Sequence, residues 1–250
     1  MISVCIATFN GEKYIREQLD SILYQLSDSD EVIISDDSST DKTLEIVKSY
    51  NDPRIKIFPN NKFHSPIFNF ENALKYAEGD YVFLSDQDDV WMDNMIEIMI
   101  KALKDASLVV SNCFVVDKNL NIIKESFFTQ KPSASIIKNI ISNNYIGCCM
   151  AFRKEVLLKA LPFPKQIAMH DIWLGLCGAL FYNVIFISEK LIMYRRHNEN
   201  SSPTMEKSNY KLMYKIVYRI KLMFFLIKRY LKYYFKLVLL SILIVLVNIL

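Results

Sequence analysis

Three carboxylates in four positions, Asp86, Asp88 and Asp89, follow the hydrophobic run Tyr81-Val82-Phe83-Leu84 and precede Trp91. At a strand end, side chains i and i+2 emerge on the same side, so Asp86 and Asp88 can converge on one ion. Oxygen donors suit a hard divalent cation, Mn2+ or Mg2+, which takes one or two carboxylates and completes its shell with substrate phosphates. Any acidic turn can make such a pair, so the position after a buried strand carries the weight. Asp171 opens the apolar run Ile172-Trp173-Leu174 behind His170. Desolvation there raises a carboxyl pKa, while a helix N-terminus lowers it. Arg195-Arg196-His197 offers charge-assisted hydrogen bonds to a diphosphate, and His197 a further metal or phosphate ligand. No GxxxxGK[ST] or GxGxxG loop occurs, so no glycine cradle holds phosphates.

These residues need a scaffold that brings distant segments together. Buried strands are expected over residues 2–7, 31–35, 54–58 and 81–84, with helices over 12–26, 42–50 and 67–77 between them. That βαβ repetition implies an α/β fold with a mostly parallel sheet flanked by helices. Ligands of such sheets bind beyond the carboxyl ends of the strands, where Asp36-Asp37 and Asp86–Asp89 stand. The second half is less regular. Strands are expected over 107–116, 120–123, 147–152, 184–187 and 191–194, and helices over 133–141, 154–161 and 171–180.

The chain has 250 residues, 52% of them hydrophobic and 23% charged, which excludes disorder and provides for a sizeable core. Five cysteines without a CxxC spacing read as reduced, buried thiols. The opening run of residues 1–7 is too short and uncharged for a signal peptide, so the body is expected in the cytoplasm. From Lys207 onward there are nine Lys and Arg and no Asp or Glu, although the whole chain has a net charge of only +3. An acidic body therefore carries a basic, apolar tail, a pattern of membrane surfaces and not of nucleic-acid binding. Leu212, Ile216, Ile220, Phe224, Ile227, Leu231 and Phe235 recur at helical spacing, with cations and tyrosines beside them. The apolar end at residues 237–250 would extend ~21 Å as a helix, short of the roughly 30 Å hydrocarbon layer. An amphipathic anchor on the cytoplasmic face of the membrane, peripheral or shallowly inserted, is expected. The division is residues 1–203 as the globular domain and 204–250 as the tail.

Four segments in order resemble the family 2 glycosyltransferases of the GT-A fold. Ala7-Thr8-Phe9-Asn10-Gly11 is similar to their opening strand and loop. Residues 35–43 are similar to their Asp-Asp-Gly-Ser-x-Asp segment, with Ser38 where glycine is usual. Ser85-Asp86-Gln87-Asp88-Asp89-Val90-Trp91 resembles their metal motif as found in bacterial rhamnosyltransferase-like members. His170-Asp171-Ile172-Trp173 and residues 194–201 resemble the segment with the catalytic base and the closing loop. The resemblance covers about residues 1–203 and implies a Rossmann-like GT-A domain, a nucleotide-sugar donor and inversion at the anomeric carbon. It implies donor contacts at Ala7, Phe9, Asp36, Asp37, Asn69 and Asp86. The cation falls to Asp88 and Asp86 with His197, and the base is Asp171. His170, Trp173 and Arg196 become acceptor or auxiliary residues.

The leading expectation is a metal-dependent, inverting transferase that moves a sugar, with L-rhamnose as candidate, onto a lipid-linked or polymeric glycan. A nucleotidyltransferase also uses paired aspartates and a metal, but the basic, Gly-rich loop that grips a triphosphate is missing. A degenerate, membrane-bound scaffold is the non-enzymatic alternative; retention of Asp86, Asp88 and Asp171 together argues against it.

Overall fold

Alternation of apolar strands with amphipathic helices produces the expected first half. In the computed structural model, residues 1–197 and 212–247 are described, with side chains of the last helix described over 213–235. The elements run β1 (Ile2–Thr8), α1 (Ile15–Leu23), β2 (Glu31–Asp36), α2 (Thr43–Ser49), β3 (Ile55–Phe58), α3 (Pro66–Lys75) and β4 (Tyr81–Ser85). β1 pairs in parallel with β2 and β4, and β2 with β3. Val4, Cys5, Ile6, Val32, Ile33, Ile34, Val82, Phe83 and Leu84 are all fully buried. Both faces of this sheet are thus covered, which is why its strands read as continuous apolar runs.

The remaining elements are β5 (Val90–Trp91), α4 (Met95–Ala102), β6 (Leu108–Val116), β7 (Ile122–Lys124), α5 (Ile136–Ile141), β8 (Met150–Arg153), α6 (Lys154–Ala160), α7 (His170–Phe181), β9 (Val184–Arg195) and α8 (Leu212–Val247). The sheet continues in the order β3-β2-β1-β4-β8-β6-β9-β5, with β7 beside β6. Here antiparallel pairs enter: β8 lies antiparallel to both β4 and β6, whereas β6 and β9 are parallel. The architecture is the mixed α/β GT-A arrangement.

Three local expectations are corrected. The two strands expected over 184–187 and 191–194 are one strand, β9, because register shifts opposite Asn112 let it stay paired with β6 through the polar stretch between them. Residues 147–149 form a 3-10 turn and not the start of β8. Helix α4 was not expected; Met95-Ile96-Glu97-Ile98-Met99-Ile100 is apolar on several faces, which blurs a helical period.

The tail helix α8 is docked on the body through its first half. Leu222 and Leu226 join the core. Arg219 donates to the Ile141 carbonyl, Arg229 to those of Leu161 and Pro162, and Tyr233 to that of Leu158. The expected stripe of Ile216, Ile220, Phe224, Ile227, Leu231 and Phe235 faces outward, each side chain between 41% and 63% exposed. Among the described residues no helix is both long and apolar enough to cross a membrane. The expected boundary at residue 203, the closing-loop residues 198–201 and the cations Lys207 and Lys211 lie outside the described residues.

Candidate active site

The parallel register sets the carboxyl ends of β1, β2 and β4 side by side: Ala7 is opposite Ser35, Thr8 opposite Asp36, and Ile6 opposite Ser85. Backbone groups freed at these ends are taken up by side chains from neighbouring loops. Asp36 is fully buried; its carboxylate accepts the Thr8 hydroxyl at 2.8 Å and both the amide and hydroxyl of Ser39. Asp37 accepts the amides of Phe63 at 2.6 Å and Ser65 at 3.2 Å. Neither acid caps α2, since Asp41 bonds the Thr43 amide instead. Ser38, where the resembling segment has glycine, takes φ 64 and offsets that strained backbone with a 2.6 Å bond to the Asn61 carbonyl.

Asp36 and Asn69 were expected to touch the donor; both are enclosed. Asn69 is buried and donates to the Thr8 carbonyl at 3.0 Å. They brace the loop that presents Ala7 and Phe9. Ala7 is half-buried at the rim, and Phe9 is 53% exposed, so its ring stands free to stack. Gln87 clips that loop to the acidic motif, bonding both the amide and the carbonyl of Phe9. A Cβ at residue 11 would lie 2.5 Å from Gln87 Oε1, so any larger residue there would have to displace the Gln87 amide from its bonds to Phe9.

The acidic motif is held from below by Arg195. This nearly buried guanidinium donates to the Asp88 and Lys118 carbonyls, pairs with Glu17 and covers the Tyr14 ring. The Arg195 amide donates to Asp89 Oδ1 at 2.8 Å, while the buried Asp89 Oδ2 has no partner among the described residues. Asp86, Asp89 and Cys148 offer ligand atoms within 4.8 Å of one another. His197 Nε2 lies 2.8 Å from Asp88 Oδ2. Burial, with the charges of Asp88 and Asp171, pushes the Asp86 carboxyl up to about 7. Burial together with Asp88 and Asp86 raises Asp89 well above the usual carboxylate range. Clustered, desolvated carboxyl groups with an orphaned oxygen are stabilised by a positive charge among them, so the residues fit a divalent cation. Asp89 and Cys148 were missed as potential donors. Asp89 had the right spacing to the motif, but Cys148 looked like any buried thiol, and only the 3-10 turn brings it there.

Asp171 stands at the start of α7, buried, with Oδ1 2.6 Å from its neighbour's amide at Ile172. Burial pushes its carboxyl up to about 7, opposed by backbone amides of the helix start and of Gly147. A Cβ at residue 147 would lie 3.7 Å from Asp171 Cβ, and the next residue, Cys148, sits with Asp86 and Asp89, so the candidate base and the acidic motif are neighbours. His170 is buried against Phe70, ring centroids 4.1 Å apart, with neither ring nitrogen hydrogen-bonded among the described residues. Burial lowers its pKa to about 3, so it is neutral. It makes no hydrogen bond to Asp171.

Trp173, expected beside the acceptor, is corrected: it is fully buried and its Nε1 donates to the Ala160 carbonyl. All residues from His170 to Gly178 are buried, so α7 is a core helix on every side and only its first turn reaches the site. Arg196 extends the β6–β9 pairing through its amide, which donates to Val116; the guanidinium beneath the motif is that of Arg195.

The sheet thus brings the acidic motif after β4 and the desolvated Asp171 to one end of the parallel strands. A family model described as "Glycosyl transferase family 2" matches residues 3–161, and the chain belongs to that family. It is 28% identical over 166 residues to the Escherichia coli "UDP-Glc:alpha-D-GlcNAc-diphosphoundecaprenol beta-1,3-glucosyltransferase WfgD", covering 66% of this chain and 64% of that one. It is 29% identical to the Shigella flexneri "dTDP-rhamnosyl transferase RfbG", covering 78% and 72%. S. aureus TarS in complex with UDP-GlcNAc superposes with a TM-score of 0.68 at 20% identity, over 89% of this chain and 71% of that one. The last likeness is one of fold.

Proposed function

We propose that this domain transfers a sugar from a nucleoside-diphosphate donor, with inversion, to a lipid-linked or polymeric surface glycan. The observation that carries the reading is the convergence of Asp86, Asp88 and Asp89 with Asp171 beyond the carboxyl edge of the parallel strands. Phe9 and Ala7 form the rim for the nucleoside, and Asp37 keeps lone pairs for its base although both oxygens hold amides. Asp86 and Asp88, with His197, Asp89 and Cys148 close by, would hold Mn2+ or Mg2+. When bound, the cation supplies charge neutralisation for the departing diphosphate.

Asp171 removes the proton of the acceptor hydroxyl as that oxygen attacks the anomeric carbon and the bond to the diphosphate oxygen breaks on the opposite face. A carboxyl at about 7 is matched to this work at neutral pH. Lipid-linked acceptors are supported by the name of the E. coli relative, and L-rhamnose remains the candidate sugar through the Shigella one. The outward apolar stripe of α8 and the cations of the tail support peripheral attachment to the cytoplasmic face of a membrane.

Donor turnover across a panel of nucleotide sugars, with Mn2+ and with EDTA, tests the reading. One donor consumed only with metal, and its sugar appearing on an acceptor in the opposite anomeric configuration, is expected. Release of diphosphate from a nucleoside triphosphate instead would favour the nucleotidyltransferase, and no turnover of any donor the scaffold.

A further inference from the structure

A cavity of about 240 Å3 lies between α8 and the segment that leads into Asp171, lined by Gln166, Ile167, Ala168, Tyr214, Tyr218 and Lys221, with Val217 at its side. We propose that this cavity seats the diphosphate of a lipid-borne acceptor, with Lys221 as its countercharge and Tyr218 joining it to the candidate base. The proposal rests on the lipid-linked reading of the acceptor given above.

Position is the first argument. Ala168 precedes Asp171 by three residues, and Tyr218 is close enough to Asp171 for that carboxylate to help burial push its hydroxyl up to about 12. The hydroxyl therefore keeps its proton and can donate. Its oxygen is shielded from water with the Ala168 backbone amide beside it, which leaves the hydroxyl proton to donate toward the cavity. An anionic ligand in the cavity would accept that proton's hydrogen bond.

Size and charge are the second. The volume is below the roughly 300 Å3 of pockets that enclose a whole drug-sized ligand. It suits a headgroup whose two ends continue elsewhere. Lys221 is exposed and brings a compact, strongly hydrated positive charge, the kind that binds phosphate as a point charge. No Asp or Glu occurs from Lys207 onward to compete for it.

The cavity also has matching surfaces on either side. Toward the site is Asp171, where the sugar end of an acceptor must reach. Along α8, one helical face over, run the exposed Ile216, Ile220 and Phe224, 41%, 61% and 59% exposed, a track for a prenyl chain. An amphiphile with sugar, diphosphate and lipid in sequence matches these three surfaces in the same sequence. The tail helix would thus be part of the acceptor site as well as an anchor.

The test uses the full chain in detergent and farnesyl diphosphate as the probe, titrated calorimetrically. Lys221→Glu should weaken its binding at least 10-fold and Tyr218→Phe several-fold, while Lys228→Glu, the same charge change elsewhere on α8, should stay within 2-fold. With a lipid-diphosphate acceptor, Lys221→Glu should raise KM more than it lowers kcat. Inorganic diphosphate should bind more weakly than the prenyl form, and phosphatidylglycerol vesicles should not displace the probe. Equal losses in Lys221→Glu and Lys228→Glu, unchanged binding in Lys221→Glu, equal affinity for inorganic diphosphate, or displacement by phosphatidylglycerol would each overturn the proposal. Donor turnover by the unaltered chain reads the transferase assignment separately, so failure of one is distinguishable from failure of the other.

Discussion

His197 Nε2 lies 2.8 Å from Asp88 Oδ2, joining the segment after β9 to the acidic motif across 109 positions of sequence. An imidazole and a carboxylate so placed can turn together toward one cation, and Arg195, two residues before His197, fixes the motif backbone from the same segment. The motif alone is a loop; the strand that ends at Arg195 makes it a site.

The proposed metal dependence is tested at that pairing. Asp88→Asn keeps the side-chain volume and removes the anion, so it should abolish donor turnover. His197→Ala should leave turnover at saturating Mn2+ largely intact while raising the half-saturating Mn2+ concentration by about 10-fold or more. A Mn2+ titration of donor turnover reads both, and undiminished activity in EDTA would contradict the assignment.

Loss of the base should appear in kcat. Asp171→Asn should lower it by roughly 10²–10⁴, with donor affinity little changed. The unaltered enzyme should gain activity as pH rises through about 7, where Asp171 loses its proton. Saturating Mn2+ keeps Asp86 ionised in that range, so the limb belongs to Asp171. If KM for the acceptor rose and kcat held, Asp171 would be a binding or capping residue.

The same carboxyl should cost stability. Its folded pKa of about 7 is above the ordinary 3.8. Between these values the folded chain holds a proton that the unfolded chain releases, so this group makes stability fall as pH rises from about 4 to about 7. Asp171→Asn removes the titration. It should be more stable than the unaltered chain at pH 8, by at most about 4 kcal/mol at ~1.4 kcal/mol per pKa unit, with the advantage vanishing near pH 4. Urea denaturation at both pH values measures it; a variant less stable at pH 8 would show that Asp171 is a structural cap.

Membrane attachment should depend on the outward face of α8 without disturbing its docking. Each large apolar side chain buried in a membrane contributes roughly 1.5–3 kcal/mol. Replacing Ile220, Phe224 and Ile227 together by Glu should therefore lower vesicle affinity by at least ~100-fold, while thermal stability stays nearly constant, because the buried Leu222 and Leu226 that dock α8 are untouched. Salt should weaken the cationic share of binding and leave the apolar share. Unaltered sedimentation of the triple variant with anionic liposomes would refute the assignment. Removing α8 altogether is a poorer test, because it uncovers the surface that Leu222 and Leu226 bury.

The sequence by itself determined the first half of the fold and where its acidic loops stand. Strands buried on both faces must be continuously apolar, and the polar residues that interrupt them must stand at their ends; Asp86 and Asp88 were legible for that reason. Asp171 was legible because a charge at the head of an apolar helix is out of place unless it has a function or a cap to make. The outward stripe of α8 was also readable, since its residues repeat at helical spacing. Tertiary structure decided everything that depends on partners far apart in sequence. Asp36 and Asn69 are rich in hydrogen-bonding groups, yet they are enclosed against Thr8, and their composition does not say whether a neighbour or a ligand satisfies them. Trp173 shares its segment with Asp171, but helical rotation carries it into the core. Arg195 and Arg196 are chemically identical neighbours in a strand whose side chains alternate in direction, so only pairing with β6 decides which guanidinium lies beneath the motif. Cys148 reaches the acidic motif from a 3-10 turn, and Tyr218 reaches the neighbouring cavity from the tail helix; their neighbours in space are absent from their neighbourhood in sequence.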